Sequence, residues 1–398
     1  MRRIDPALLV VLAGVSAALH VGKLPTALPV LKAAMGVTLV EAGFLLSLVQ
    51  LAGMTLGVAV GLAADALGLK RTMTAGLAVL AGASLLGGWA QDAGTLMMLR
   101  AVEGLGFLLA SMPAPSLIRK LVEPSRVSAS LGLWGAYMPL GTALALLGGP
   151  FVMGAVGWQG WWWLLACVSA IMAVVLWVCL PPDQDAHPSQ SRSHADSWSR
   201  RLRRTVTSRG PWLVALAFAA YSSQWLSLIG FLPSMYAQAG LAAGLAGAAT
   251  ALAAAVNMVG NIAAGRLLQG GFRPHMLLFT GFTAMGLGGL VAFGAPADEV
   301  GLRYAAVLMF SMVGGLIPGT LFSLAVRLAP GESSVSTTVG WTQQWSSIGQ
   351  FVGPPVVAWV ATLVGGWTWS WIVTGSCALA GLVLSSLIGN LLARKPPA

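Results

Sequence analysis

A histidine and a lysine three residues apart, His20 and Lys23, interrupt the apolar run that opens this chain, in "ALHVGKLPTALPVLK" (18–32). A second apolar stretch, "LRAVEGLGF" (99–107), carries Arg100 and Glu103 at the same spacing. Residues three apart share a helix face, so each pair presents its groups together. Two cations set close together suit an anion, and a carboxylate inside an apolar segment suits proton carriage. Charges in such segments are costly, and they usually face a cavity, pair with one another and mark a path for substrate or ion. Two plainer readings stand beside this one. Lys23 can extend its stem and leave its ammonium at an interface. Arg100 and Glu103 can form a purely structural ion pair.

Depth decides whether the pairs meet. With a first span running outward from about residue 7, Lys23 lies roughly 24 Å along it at about 1.5 Å per residue. That is about 6 Å from the outer edge of a core roughly 30 Å thick. A fourth span running inward from about residue 95 places Arg100 roughly 8 Å and Glu103 about 12 Å below the same edge. All four residues therefore fall in one layer, with a surplus of positive charge. Glu103 is the carboxylate well inside a span and the leading proton carrier. The second half has Leu308 where a shift of 208 would put a partner for Arg100. It offers Tyr221, Ser222, Gln224, Asn257, Gln343 and Gln344 instead. Tyr221, Gln224 and Gln343 are candidate contacts to a small solute, although such residues also serve as polar glue between helices.

The elements that must hold these groups are membrane spans. Hydrophobic residues make up 57% of the 398-residue chain and charged residues 9%, against about 25% charged in soluble domains. Apolar segments of spanning length recur near 7–31, 39–62, 72–90, 95–118, 127–153, 161–180, 212–236, 242–265, 275–294, 301–326, 336–363 and 368–392. The first continues past the length of a signal peptide and is read as an uncleaved span. Residues 181–211 form one hydrophilic linker, with a basic run from Arg200 to Arg204 that suits a short amphipathic helix on anionic lipid. The linker's His187, His194 and Asp196 lack metal-ligand spacing. Cys167, Cys179 and Cys377 lie in apolar runs without CxxC spacing and are expected as buried small hydrophobes. No metal or cofactor is expected.

The net charge of +10 does not signal nucleic acid, because its distribution follows topology. With the N-terminus inside, 18 of the 22 Lys and Arg fall in cytoplasmic segments. Lys32 and Arg303 fall outside, and Lys23 and Arg100 fall within spans. This bias places both termini and the linker in the cytoplasm. The halves also repeat at a shift of 208. "VSASLG" (127–132) matches "VSTTVG" (335–340), "GKLP" (22–25) matches "GFLP" (230–233), and Gly141 falls on Gly349. The expected architecture is an all-α membrane protein of twelve helices in two pseudo-symmetric six-helix halves, 1–180 and 212–398, joined by the 181–211 linker. Trp158, Trp161, Trp162 and Trp163, with Trp367, Trp369 and Trp371, sit at outer span ends and read as an interface belt.

"GLAADALGLKR" (61–71), between the second and third spans, resembles the signature of the major facilitator superfamily through Gly61, Asp65, Gly68, Lys70 and Arg71. Ala66 stands where a basic residue is usual, and Leu69 displaces the basic pair by one. The resemblance implies a gating latch that holds the cytoplasmic side shut. Arg100, Gly104 and Gly106 resemble the family's fourth-span signature, and "YMPLGTALALLGGP" (137–150) a degenerate form of its fifth-span signature. The run from Arg100 to Phe107 and "GWQGWWW" (157–163) resemble the cyanate- and nitroimidazole-porter branch, with Gln159 where that branch would carry Arg. In the resembled fold the first and fourth spans are neighbours lining a central cavity.

The implied function is secondary active transport by alternating access, coupled to protons, of a small anionic solute. The alternative is proton-coupled efflux of hydrophobic drug-like compounds. No Walker loop appears. An embedded enzyme or a non-transporting sensor is the further alternative, but no catalytic motif is present. The expected setting is the bacterial inner membrane, as a monomer whose partners are solute, protons and lipid.

Overall fold

Helix-breaking residues and short polar gaps cut the apolar runs into helices, and no strand occurs among the described residues. The structure, a computed structural model, describes residues 5–123, 126–183, 198–296 and 298–394. Side chains at 61–66, 127–129, 132, 198 and 333 lie outside that description. The helices are α1 (Pro6–Met35), α2 (Leu39–Ser47), α3 (Leu51–Leu67), α4 (Leu69–Gly87), α5 (Ala93–Ser111), α6 (Ala114–Leu121), α7 (Val127–Trp134), α8 (Tyr137–Cys179) and α9 (Trp198–Thr207). They continue as α10 (Arg209–Gln238), α11 (Ala243–Ala255), α12 (Asn257–Gln269), α13 (Pro274–Gly294), α14 (Val300–Gly314), α15 (Leu316–Arg327), α16 (Val335–Leu363) and α17 (Trp371–Ala393).

Among the described residues, nine helical stretches are long and apolar enough to cross a membrane. The twelve expected spans all fall on helices. One long helix, α8, covers both the fifth and the sixth, and its backbone breaks at Gly157 (φ 72°, ψ 172°). A side chain is strongly disfavoured at such a φ/ψ, so glycine permits the reversal there. α4 and α16 have spanning length but carry Lys70 and Arg71, or a run of Ser, Thr and Gln. Several spans are two helices in sequence, interrupted near Pro113 (α5 to α6) and Gly315 (α14 to α15).

The chain forms two compact units. The first comprises Met1–Glu41, Leu48–Arg192 and Leu232–Ala251; the second comprises Ala42–Ser47, Ser193–Phe231 and Leu252–Ala398. In the first, α1 lies along α8, and α4 packs on α5 and α8. Val10, Met73, Leu77, Phe107 and Leu176 share its buried apolar core. A Cβ on Gly141 would stand 2.6 Å from the Val15 carbonyl oxygen, so glycine lets α8 close on α1. In the second, Gly349 of α16 meets the Ala219 carbonyl oxygen of α10 at 2.2 Å by the same measure. The repeated glycine thus does the same packing work in each unit.

Two expectations are corrected here. Cys167 and Cys179 are exposed rather than buried, since an apolar side chain on a spanning helix is as well placed against lipid as against protein. Trp158, Trp161 and Trp162 are buried rather than forming an interface belt. Of the linker, Pro181–Asp183, α9 and residues 208–211 are described, with 209–211 already in α10, whereas His187, His194 and Asp196 lie outside the described residues.

Candidate functional site

Lys23 and His20 lie one turn apart on α1, and Arg100 and Glu103 one turn apart on α5. The structure brings all four together, at 0% exposure for His20 and Lys23, 2% for Arg100 and 1% for Glu103. The Lys23 ammonium therefore does not reach an interface. Its three donors have three acceptors: Glu103 Oε1 in a close ion pair, Ser84 Oγ of α4 at 2.9 Å, and His20 Nδ1 at 3.4 Å. The Trp162 ring of α8 covers it, 4.6 Å from Nζ to centroid, a cation–π contact strengthened by burial of the ammonium. Arg100 Nη1 donates to Glu103 Oε2 at 2.7 Å and to the His20 carbonyl at 2.6 Å.

Hydrogen-bond direction assigns the imidazole tautomer. An ammonium only donates, so His20 Nδ1 accepts and the ring proton sits on Nε2. That nitrogen meets Ser169 Oγ of α8 at 2.7 Å. Ser84 Oγ, having accepted from Lys23, donates to the Trp162 carbonyl at 2.9 Å. Trp161 Nε1 reaches the Lys23 carbonyl at 3.4 Å. Four helices thus contribute to one network. It holds two cations and one carboxylate, a surplus of one positive charge with His20 neutral. An unbalanced charge shielded from water is expensive, so the cluster is suited to a change of protonation.

Sequence reasoning found the four titratable residues and missed Ser84, Ser169, Trp161 and Trp162. Serines are common helix-packing residues and give no signal alone. The tryptophan run gave one, because it follows directly on Gly157, whose reversal turns these rings back toward α1 and α4.

A carboxylate that the sequence did not single out, Asp183, stands at the signature loop. Asp65 and Gly61 lie on α3, but their side chains are outside the described residues. Asp183, just past α8, accepts from the backbone N–H groups of Lys70 and Arg71, each at 3.0 Å. It thereby caps the start of α4, where the helix dipole favours negative charge. Gly68 has φ 94°, and a Cβ there would stand 2.4 Å from Asp183 Oδ2. Lys70 returns the favour at the other helix end, donating from Nζ to the Leu180 carbonyl at 2.6 Å.

The second unit holds a neutral network. Asn257 Nδ2 of α12 donates to the Tyr221 hydroxyl of α10 at 3.0 Å and to the Ser311 carbonyl of α14 at 2.9 Å. Asn261 Nδ2 donates to Asn257 Oδ1 at 3.0 Å, and Trp225 Nε1 to Ser311 Oγ at 3.2 Å. A Cβ on Gly260 would stand 2.0 Å from the Met312 carbonyl oxygen, so α12 and α14 touch through backbone there. Ser222 donates to the Ser346 carbonyl at 2.7 Å. Gln224 is buried, with Nε2 on the Ala220 carbonyl at 3.0 Å and Oε1 without a partner. Gln343 is half-buried on α16.

Comparison with known proteins completes the picture. A sequence model described as Major Facilitator Superfamily matches residues 8–354. The puromycin resistance protein pur8 of Streptomyces alboniger is 36% identical over 128 residues, 31% of this chain and 25% of that protein. The match therefore spans a quarter of that relative's length. The multidrug resistance protein MdtL of Escherichia coli is 24% identical over 345 residues, 84% of this chain and 83% of that protein. A solved bacterial homolog of the human lysosomal transporter Spinster, inward-facing and occupied, shares the fold with a TM-score of 0.81 at 15% identity, covering 98% of each chain.

Proposed function

Because this chain belongs to the Major Facilitator Superfamily of multi-pass membrane transporters, we propose that it exports small amphiphilic organic compounds in exchange for protons. The observation that carries this reading is the closure of the charged cluster on itself. Lys23, Arg100, Glu103 and His20 are at most 2% exposed and take one another as partners. Groups so engaged are placed to hold a proton rather than to receive a solute. The solute itself would meet neutral groups that are less fully engaged: Gln343, which is half-buried, Gln224, whose Oε1 has no partner, and Tyr221, whose neutral bonds to Asn257 are cheaper to exchange than an ion pair. Similarity to proteins named for puromycin and multidrug resistance supports the same substrate class.

A small organic anion is the second reading, favoured by the surplus positive charge at Lys23 and Arg100. Both use alternating access, with Lys70, Arg71 and Gly68 in the latch that opens and closes one side. The basic bias of the loops supports cytoplasmic termini in a bacterial inner membrane.

Proteoliposomes carrying an imposed pH gradient test these readings. Ethidium and puromycin should move against the proton gradient, with matching proton entry read by an internal dye. Gradient-driven movement of benzoate, with neither cationic compound transported, would overturn the export reading in favour of the anion. In Glu103→Gln, proton movement should be lost while ethidium binding persists.

A further inference from the structure

Among the described residues, five polar side-chain atoms without a hydrogen-bond partner gather on three neighbouring elements of the second unit. They are Arg201 Nε and Thr205 Oγ1 on α9, Ser334 Oγ in the 3-10 turn Glu332–Ser334, and Thr337 Oγ1 and Trp341 Nε1 on α16. Each atom is sealed from solvent. Thr205 and Ser334 are 0% exposed as residues, and Thr337 is 3%. Arg201 and Thr205 are four apart on one face of α9, and Thr337 and Trp341 are four apart on one face of α16. α9 packs against both the 3-10 turn and α16. The two faces belong to one junction.

Every one of the five can donate. A buried donor left without an acceptor costs about 1–3 kcal/mol, and five in one junction is too many to be packing accidents. The hydroxyls also have an alternative that they decline. Thr338 and Thr342 of the same helix donate to the carbonyl four residues back, each at 2.9 Å, and Thr207 of α9 does so at 2.7 Å. Thr205 and Thr337 do not. The start of α16 adds to the field, because Ser334 precedes the helix without a side-chain cap on its first N–H groups, and such an end attracts anions. Neither α9 nor α16 contains an acidic residue, and Glu332 beside them is exposed.

The geometry points to an anion site at the junction of α9 and α16, of the size and chemistry of a phosphate oxyanion. Arg201 supplies the charge and Thr205, Ser334, Thr337 and Trp341 supply neutral donors. Its level also fits. Trp212 at the start of α10 donates to the Val206 carbonyl at 2.7 Å, fixing α9 at the mouth of the span. Trp212 packs edge-on against Trp341 and Trp345, at 5.0 and 5.1 Å, and such aromatic groups mark the membrane boundary. The phosphate can therefore come from a phospholipid headgroup or from solution.

The full chain, purified in an uncharged sugar detergent with chloride as the anion, distinguishes these. Its thermal midpoint is followed while inorganic phosphate is titrated, and separately while phosphatidylglycerol or uncharged diacylglycerol is added. A rise with inorganic phosphate assigns a soluble source. A rise with phosphatidylglycerol but with neither diacylglycerol nor free phosphate assigns the headgroup. In either arm Arg201→Gln and Thr337→Val should each weaken the apparent affinity about tenfold or more, the loss expected for one bond to a charged ligand. Arg203→Gln, on the exposed face of α9, should stay within about twofold. Without ligand, Thr337→Val should fold and melt no lower than the parent, since it removes an orphan hydroxyl. Absence of any rise, or a rise weakened equally by Arg203→Gln, overturns the site.

Discussion

The first unit holds a buried cluster of four titratable side chains, whereas the second holds a neutral network of Tyr221, Asn257, Asn261, Ser311 and Trp225. The two arrangements respond differently to change. A sealed ion cluster is rigid in its demands, because a missing partner leaves a charge without compensation. A neutral network loses only one modest bond at a time. The first kind suits chemistry that depends on charge state. The second suits a surface that adapts to different solutes. Glycine contacts at Gly260 and Gly315 bring the helices of the neutral network together through backbone.

The largest effect is expected of Glu103→Gln. It leaves Lys23 and Arg100 buried with no anion, and breaking a buried pair from one side costs about 3–5 kcal/mol. The thermal midpoint of purified protein should fall steeply. Adding Lys23→Met should restore part of the loss, because one cation is removed with its partner. A Glu103→Gln protein as stable as the parent would mean that the cluster is not the charged structure drawn here.

Ser84→Ala comes next. It deletes a neutral acceptor from the Lys23 ammonium while leaving Glu103 and His20 in place. Bonds to charged groups contribute about 1.5–3 kcal/mol. A midpoint loss clearly smaller than that of Glu103→Gln is expected. Equal losses would place the burden on Ser84 packing rather than on charge.

These partners show where the sequence stopped being readable. His20, Lys23, Arg100 and Glu103 were legible because charge stands out in apolar segments, and helical rise alone places them in one layer. The twelve spans were legible for the same reason of contrast. Ser84 and Ser169 were not, because a serine in a membrane helix bonds its own backbone as readily as a neighbour. Trp161 and Trp162 were misread because tryptophan at a span end usually faces headgroups, and only the reversal at Gly157 directs them inward. Asp183 is distant in sequence from the loop it caps, and no local pattern links a carboxylate after one helix to the start of another 113 residues away. Contacts within one helix follow from spacing, but those between helices follow from packing.

In the second unit, Tyr221→Phe removes a neutral hydroxyl that accepts from Asn257 Nδ2 at 3.0 Å and donates to Asn257 Oδ1 at 3.3 Å. Asn257 keeps its bonds to the Ser311 carbonyl and from Asn261, so the loss should be about 0.5–1.5 kcal/mol. The more informative readout is selectivity. If this network meets the solute, transport of ethidium and puromycin should shift relative to one another while the proton dependence stays unchanged. A changed proton dependence would erase the division of labour between the two units.

The smallest effect belongs to an ion pair that lies in water. Asp5 caps α1, accepting from the Ala7 N–H at 2.9 Å, and also accepts from Arg126. The hydrogen bond from Arg126, and then that from the Ala7 N–H, hold the Asp5 carboxyl below the usual aspartate range. Arg126 is 61% exposed and Asp5 33%, and exposed pairs contribute about 0–1 kcal/mol. Asp5→Asn keeps the cap, since asparagine caps as well as aspartate, and deletes only the charge. Its midpoint should lie within that small range of the parent, and added salt should shrink the difference further. The sign with pH follows from linkage. A carboxyl whose folded value is depressed stabilises the fold above its unfolded value, about 3.9, and that contribution is lost as pH falls through the lower folded value. The two proteins should therefore converge in acid and separate slightly toward neutrality. The same chemical pairing, carboxylate with cation, is thus predicted to matter several-fold more at Glu103 than at Asp5. An Asp5→Asn loss as large as that of Glu103→Gln would show that burial does not set the difference.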